Sequence, residues 1–182
     1  MKKLLITVAI LAIGAVSAHA DSAFEGLYAG VEGGFGHTSP DVGNKDSAFS
    51  GGAYAGYGLT FDKFYLGAEA GIGLNGTEFS SGGVTYSREF QYGATAKAGY
   101  VVTPKHLVYG LVGYERAEVK ADDGVTVAKG TNDGIRFGAG TETFVAKNVT
   151  ARSEVSYTDW RGKGGLPDSG EWKGTVGLGV RF

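Results

Sequence analysis

The chain has 182 residues, with 33 glycines, three prolines, no cysteine and a formal net charge of −2. These values exclude a disulfide framework, and the irregular spacing of glycine excludes collagen. Aromatic residues make up 12 % of the chain, too many for a disordered segment, so the glycines are expected in closely curved β-sheet.

The N-terminus has the three-part layout of a secretory signal peptide. Two lysines precede an apolar stretch of thirteen residues, which is followed by the small-x-small sequence Ala-His-Ala. We expect cleavage between Ala20 and Asp21, which makes residues 1–20 the signal peptide and residues 21–182 the mature domain. The mature domain has 15 basic and 19 acidic residues, a charge of −4, which argues against nucleic-acid binding. The apolar stretch is too short to cross a bilayer as a helix.

Eight stretches of the mature domain alternate with the two-residue period of a β-strand. They cover residues 27–35, 49–61, 64–74, 89–102, 107–118, 135–145, 149–157 and 171–182. In seven of them every charged residue falls on one parity, while the other parity is apolar or small. The faces of 107–118 stay unassigned, because both parities are apolar. Charge on one face only is typical of a barrel wall whose other face meets lipid.

Short and long connections alternate between these stretches. Tight turns are expected at residues 62–63, 103–105 and 147–148, and longer polar connections at residues 37–46, 75–87, 121–133 and 159–170. Outer-membrane barrels have short periplasmic turns and longer extracellular loops, and an even strand number places both termini in the periplasm. The sequence therefore predicts an all-β fold, an eight-stranded antiparallel up-and-down transmembrane β-barrel.

A soluble β-sandwich or a lipocalin-like barrel would show the same alternation. The membrane barrel is favoured because the stretches are about ten residues or longer, which suits a tilted membrane strand. Aromatic residues near the ends of the stretches also fit interfacial girdles. These residues are Phe61, Phe64, Tyr100, Tyr157, Trp160, Trp172 and Phe182.

Several stretches of sequence together point to a family. They are YLGAEAG at 65–71, QYGATAKAGY at 91–100, FGAGTET at 137–143 and NVTARSEVSY at 148–157. The chain resembles the small outer-membrane barrels related to the transmembrane domain of outer-membrane protein A, including the opacity-like surface antigens. Its C-terminal alternation is similar to the signal read by the barrel assembly machinery, carried here by Val176, Leu178, Val180 and Phe182. The family's separate peptidoglycan-binding domain has no counterpart, so no cell-wall tethering is expected.

The resemblance implies a non-enzymatic, monomeric surface protein without a cofactor. Such a protein stabilises the envelope and displays four extracellular loops. Its implied partners are outer-membrane lipid, lipopolysaccharide, the barrel assembly machinery and a host or extracellular ligand at the loops. A small porin-like channel with a gated interior is the alternative from another class. A soluble periplasmic binder is a third.

Charged residues of the polar parity are expected to meet inside the barrel. The set comprises four acids and four bases: Glu32, Glu69, Glu142, Glu154, Lys97, Arg136, Arg152 and Lys173. An eight-stranded barrel is only wide enough for side chains, and an unpaired buried charge costs several kcal/mol. We therefore expect a salt-bridged core. In the resembling family an inward Glu/Lys/Glu/Arg network acts as a plug or gate, which here implies Glu69, Lys97, Glu142 and Arg152.

Catalytic and metal chemistry have little support. The mature domain has only two histidines, His37 and His106, and no cysteine, so no metal-ligand spacing occurs. His37 is expected to open the first outer loop, but it lacks the positioned partner that an activated nucleophile needs. Some relatives bind hemin, which leaves His37 as a candidate contact. Polar residues of the last two loops are expected to be exposed: Asp122, Asp123, Lys129, Asp133, Asp159, Arg161, Lys163, Asp168 and Glu171.

Overall fold

The computed structural model describes residues 23–40, 46–76, 78–81, 84–122, 127–162 and 168–182. These residues form nine strands, numbered in chain order. The strands are β1 (Gly26–Pro40), β2 (Asp46–Phe61), β3 (Phe64–Asn75), β4 (Glu78–Ser81), β5 (Val84–Thr103), β6 (His106–Asp122), β7 (Val127–Phe144), β8 (Val149–Gly162) and β9 (Ser169–Arg181). None of the residues that the structure describes forms a helix able to cross a membrane.

The strands form one closed antiparallel sheet. β1 pairs with β2 on one side and with β9 on the other, which joins the two ends of the sheet. β3 pairs with β2 and β5, and the four-residue β4 pairs only with the outer part of β5. Since β3 and β4 occupy the same position beside β5, the barrel has eight strand positions. The predicted eight-stranded antiparallel barrel is confirmed.

The polar parity of each strand points into the barrel, as predicted, and the structure also assigns the faces of β6. Its odd positions Leu107, Tyr109 and Leu111 are buried, whereas Val108 and Val112 are exposed on the outer wall. The inward face of β6 is largely apolar because it packs against an aromatic cluster at one end of the barrel. Polarity alone therefore could not distinguish the two faces.

The tight turns lie where they were predicted. β2 and β3 are joined at 62–63, where Asp62 has a φ of 57°, a left-handed conformation that aspartate tolerates in turns. β5 and β6 are joined at 104–105, and β7 and β8 at 145–148. The first and last described residues, Ala23 and Phe182, lie at this end of the barrel, which is the periplasmic end in outer-membrane proteins.

The polar connections at the other end are shorter than predicted. β1 continues to Pro40, β6 continues to Asp122, and β7 already begins at Val127. Much of 37–46, 121–133 and 159–170 is therefore strand, because antiparallel pairing satisfies backbone N–H and C=O groups whatever the side chains are. His37 lies within β1, opposite Trp172 of β9, and does not open a loop. Its neighbour Asp41 lies outside the described residues.

Aromatic residues form rows on the outer wall. Near the extracellular end, Tyr157 lies between Phe137 and Trp172, with ring centroids 5.4 and 5.2 Å away. Near the periplasmic turns, the rings of Phe64 and Tyr100 are 5.7 Å apart. Such rows are typical of membrane-interface girdles.

Trp160 was wrongly placed in the girdle. It is 1 % exposed and lies inside the barrel, where its indole Nε1 donates a hydrogen bond to Glu171 at 2.9 Å. Trp160 belongs to the inward parity of β8, and it is also polar enough at Nε1 to need a partner when buried. Glu171, predicted to be exposed, is buried by the same contact.

The different surroundings of the two tryptophans predict different fluorescence. Trp160 is 1 % exposed, whereas Trp172 is 58 % exposed on the lipid-facing wall. In vesicles containing brominated acyl chains, we expect strong quenching of the emission of Trp160→Phe, which retains Trp172, and weak quenching of Trp172→Phe. Equal quenching of the two variants would contradict the inward position of Trp160.

Candidate functional site: the charged barrel interior

Charged side chains from seven strands enter the barrel interior. The described residues there include six acids and five bases: Glu32, Glu69, Glu115, Glu142, Glu154, Glu171, Lys97, Arg136, Arg152, Lys173 and Arg181. All except the half-buried Glu32 are buried. The strand period of two delivers one such side chain after another to the same face. The interior is thus lined by opposite charges at short range.

Lys97 of β5 and Arg152 of β8 meet at Glu69 of β3. Lys97 Nζ lies 2.8 Å from Glu69 Oε2, and Arg152 Nη1 donates to the same oxygen at 2.8 Å. Arg152 also forms an ion pair with Glu32 of β1. These contacts join strands on opposite sides of the barrel, so the ion pairs cross its interior.

Glu154 of β8 accepts hydrogen bonds from three side chains. Its two oxygens accept from Lys97 Nζ at 3.0 Å, from Tyr109 Oη at 2.7 Å and from Arg136 Nη2 at 2.7 Å. Arg136 in turn donates to Glu115 of β6 at 3.2 Å. Charged hydrogen bonds of this kind are stronger than neutral ones. The central network therefore extends from Glu32 to Glu115 without a break.

Tyrosine rings fill the space beside the two central cations. The Arg152 guanidinium carbon lies 3.3 Å from the ring centroid of Tyr54, and Lys97 Nζ lies 4.8 Å from that of Tyr109. Cation–π attraction in a desolvated site contributes about 2 kcal/mol. The rings also displace water, which makes the ion pairs less screened.

Glu142 does not join this central network. Its carboxylate accepts from Arg181 Nε at 2.8 Å and Arg181 Nη2 at 3.1 Å, nearer the periplasmic end. The structure therefore brings together Glu69, Lys97 and Arg152 of the predicted gate, and places Glu142 in a separate pair. Arg181 was missing from the predicted set. It could have been predicted to point inward, because it has the same parity in β9 as Lys173.

Glu115 was also missing from the predicted set. On β6 the inward Glu115 is followed by the outward Arg116, so charge occurs on both parities. Arg116 is tolerated on the outer wall because it pairs with Asp133 of β7, with Nε 2.7 Å from Oδ1. The rule that all charged residues of a strand share one parity therefore fails at Arg116, near the extracellular end of β6.

A small polar cavity remains on the extracellular side of the central network. Its volume is about 40 Å³, and its lining includes Glu32, Glu115, Arg136 and Lys173. Lys173 forms no ion pair with another residue that the structure describes. A single water needs about 10–15 Å³ of such space, so the cavity has room for a few waters. No group of metal-ligating side chains occurs in the described part of the chain.

The remaining candidates lie apart from the interior. His106 Nδ1 is 2.9 Å from Thr143 Oγ1 at the periplasmic end. Val176, Leu178 and Phe182 are exposed on the outer wall, and Val180 is half-buried. The proposed cleavage residues Ala20 and Asp21 lie outside the described residues, as do Asp123 and Lys163 of the polar connections.

A sequence profile described as "Outer membrane protein beta-barrel domain" matches residues 6–182. The chain belongs to this family. Among curated relatives, a 22 kDa outer membrane protein of Rhizobium leguminosarum bv. viciae is 31 % identical over 166 residues, covering 87 % of this chain and 78 % of the relative. A 25 kDa outer-membrane immunogenic protein of Brucella ovis is 27 % identical over 161 residues, covering 87 % and 76 %.

Solved structures show the same fold. Neisserial surface protein A has a TM-score of 0.65 at 15 % identity, covering 86 % of this chain and 97 % of that protein. Ail, the attachment invasion locus protein of Yersinia pestis, has a TM-score of 0.60 at 17 % identity, covering 87 % and 99 %. The fold, the family and the names of the relatives agree that this chain is a β-barrel protein of the bacterial outer membrane.

Proposed function

We propose that the protein is a non-enzymatic surface protein whose closed barrel supports the envelope and displays extracellular connections for surface interaction. The main support for this proposal is that side chains fill the interior of the barrel. Lys97 lies within 3.0 Å of both Glu69 and Glu154, and Arg152 extends this contact to Glu32. A barrel filled by paired charges and tyrosine rings acts as a rigid scaffold, and on rigid scaffolds the loops carry function.

Two further observations support a role at the cell surface. Several relatives from Brucella species are named immunogenic proteins, and one structure of Ail contains the heparin analogue sucrose octasulfate. We propose outer-membrane lipid and lipopolysaccharide as the surroundings of a monomeric barrel, and a host or extracellular molecule as the ligand of its outer end. The outward alternation of Val176, Leu178 and Phe182 suits recognition by the barrel assembly machinery before insertion. Residues 1–20 are proposed as the signal peptide removed earlier.

A small gated channel is the second candidate. The observation that favours it is the polar cavity of about 40 Å³ next to the central network. For the barrel to conduct, the ion pairs around Lys97 would have to exchange partners. The two functions thus differ in whether the central network opens.

Planar-bilayer conductance of the refolded protein distinguishes these functions. Folding is first confirmed by the different gel mobility of unboiled and boiled samples. For the scaffold function we expect no conductance steps, because the central ion pairs block the interior. Discrete steps from the folded wild-type protein would overturn the scaffold proposal in favour of the channel.

Replacing Lys97 by alanine tests the role of the network itself. Loss of Lys97 Nζ leaves Glu69 and Glu154 with fewer partners, so we expect either a less stable barrel or new conductance steps. Lys105→Ala, in an exposed periplasmic turn, is the matched control and should leave both measurements unchanged. Unchanged unfolding together with unchanged conductance in Lys97→Ala would refute the network as the barrier.

A further inference from the structure

The chain enters the barrel wall through a turn that carries Phe24 into the periplasmic end of the interior. Phe24 is 0 % exposed, although the preceding Ala23 is exposed. β1 begins two residues later at Gly26, whose φ of +102° is rarely adopted by other residues. This sharp bend turns the short segment of residues 23–25 back into the barrel opening.

The ring of Phe24 completes an apolar layer across this opening. Its centroid lies 5.0 Å from that of Phe144 at the end of β7. Tyr65 from the start of β3 and Leu107 from the start of β6 belong to the same buried cluster. Since these side chains come from different parts of the wall, the layer spans the interior at the level of the periplasmic turns.

Arg181 at the end of β9 holds the segment in place. Its Nη1 donates a hydrogen bond to the carbonyl oxygen of Phe24, and its guanidinium carbon lies 5.2 Å from the Phe24 ring. Nε and Nη2 of the same guanidinium bind Glu142 at 2.8 and 3.1 Å. A planar guanidinium can serve both partners at once, which a lysine cannot do in the same geometry.

We propose that the Phe24 side chain is a plug that closes the periplasmic mouth of the barrel. The Arg181–Glu142 pair holds Phe24 in this position. The plug is a second barrier, separate from the central ion pairs around Lys97. It keeps periplasmic water from Leu107 in the same layer and from Tyr109, which lies two residues further into the barrel along β6. The inference does not depend on the proposed surface role, because it concerns access to the interior from the opposite end.

Thiol labelling can measure this access directly, since the protein has no cysteine of its own. The reporter is Leu107→Cys, at a fully buried position in the same apolar layer as Phe24. The reaction rate with a water-soluble maleimide is measured in folded, detergent-solubilised protein. We expect a slow reaction in the otherwise wild-type barrel, and a rate at least about tenfold higher when Phe24→Ala is added, because labelling then needs no displacement of the plug.

Two further variants separate the plug from a general loosening of the barrel. Leu27→Ala removes an apolar side chain three residues away that is partly exposed on the outer wall, and should leave the reporter rate unchanged. Arg181→Lys keeps the charge but loses the bridging geometry, and should raise the rate several-fold. Equal rates with and without Phe24→Ala would overturn the proposal that Phe24 closes the mouth. An unchanged rate in Arg181→Lys would show that the Arg181–Glu142 pair does not hold Phe24 in place.

A second measurement applies if Phe24→Ala fails to show the gel shift of a folded barrel. Single-cysteine proteins with Phe24→Cys and Ala23→Cys are compared under the same conditions. The thiol at position 24 should react at least about tenfold more slowly than the thiol at position 23, because only the latter is exposed. Equal reaction rates would show that the N-terminal segment does not occupy the mouth, and would overturn the proposal.

Discussion

Glu154→Leu is expected to destabilise the folded barrel by about 3–5 kcal/mol, the range for removing one partner of a buried ion pair. The carboxylate of Glu154 accepts from Lys97, Arg136 and Tyr109. Leucine offers no acceptor, so these three donors would lose a partner in the interior. The measurement is the urea midpoint for unfolding from lipid vesicles, followed by tryptophan fluorescence.

Two controls show whether charge or packing causes the effect. Glu154→Gln retains an acceptor oxygen but loses the charge, so its midpoint should lie between those of wild type and Glu154→Leu. Val155→Ala changes the neighbouring outward residue, which is 59 % exposed to lipid, and should have a small effect. A Glu154→Leu barrel with the wild-type midpoint would mean that the central network contributes nothing measurable to stability.

The inward and outward faces of the strands could be predicted from the sequence because each strand repeats the same alternation. Polar and apolar residues alternate over ten or more positions, and a shift by one residue would place every charge in lipid. β8 illustrates this, since Arg152 and Glu154 point inward while Ser153 and Val155 point outward. The tight turns were equally predictable from breaks in that alternation.

The partners inside the barrel were much harder to predict. Parity places Glu142 and Arg181 in the interior, but their height along the barrel axis depends on the register between β7, β8 and β9. Glu142 lies opposite Arg152 of β8, yet its carboxylate binds Arg181 of β9. The spacing of residues in the sequence does not show toward which end of the barrel a side chain turns, so the pairing of Glu142 with Arg181 could not be predicted.

Phe24 was missed for a different reason. It precedes the first alternating stretch, and a single phenylalanine before a strand has no pattern to indicate its direction. Its burial follows from the bend at Gly26 and from Arg181, which is more than 150 residues away in the chain. Only the closed sheet, in which β1 pairs with β9, brings these residues together.

Gly56 lies on the inward face of β2, where close packing leaves no room for a larger side chain. A Cβ atom at this position would lie 2.6 Å from the backbone oxygen of Ala68 and 2.6 Å from the ring of Tyr28. Tyr28 is buried, and the Ala68 oxygen is fixed within the barrel wall. Gly56→Ala is therefore expected to destabilise the barrel by about 3 kcal/mol, at the upper end of the usual cost of overpacking.

Gly51→Ala is the matched control on the same strand. Gly51 is exposed on the outer wall, and its Cβ would meet only the Glu32 backbone oxygen at an ordinary 3.8 Å. Because alanine restricts the unfolded chain more than glycine, this variant should be unchanged or stabilised by about 0.4–1 kcal/mol. The two urea midpoints should move in opposite directions or by very different amounts. Equal midpoints would mean that Tyr28 and the wall can move aside, and that inward glycine is not required by close packing.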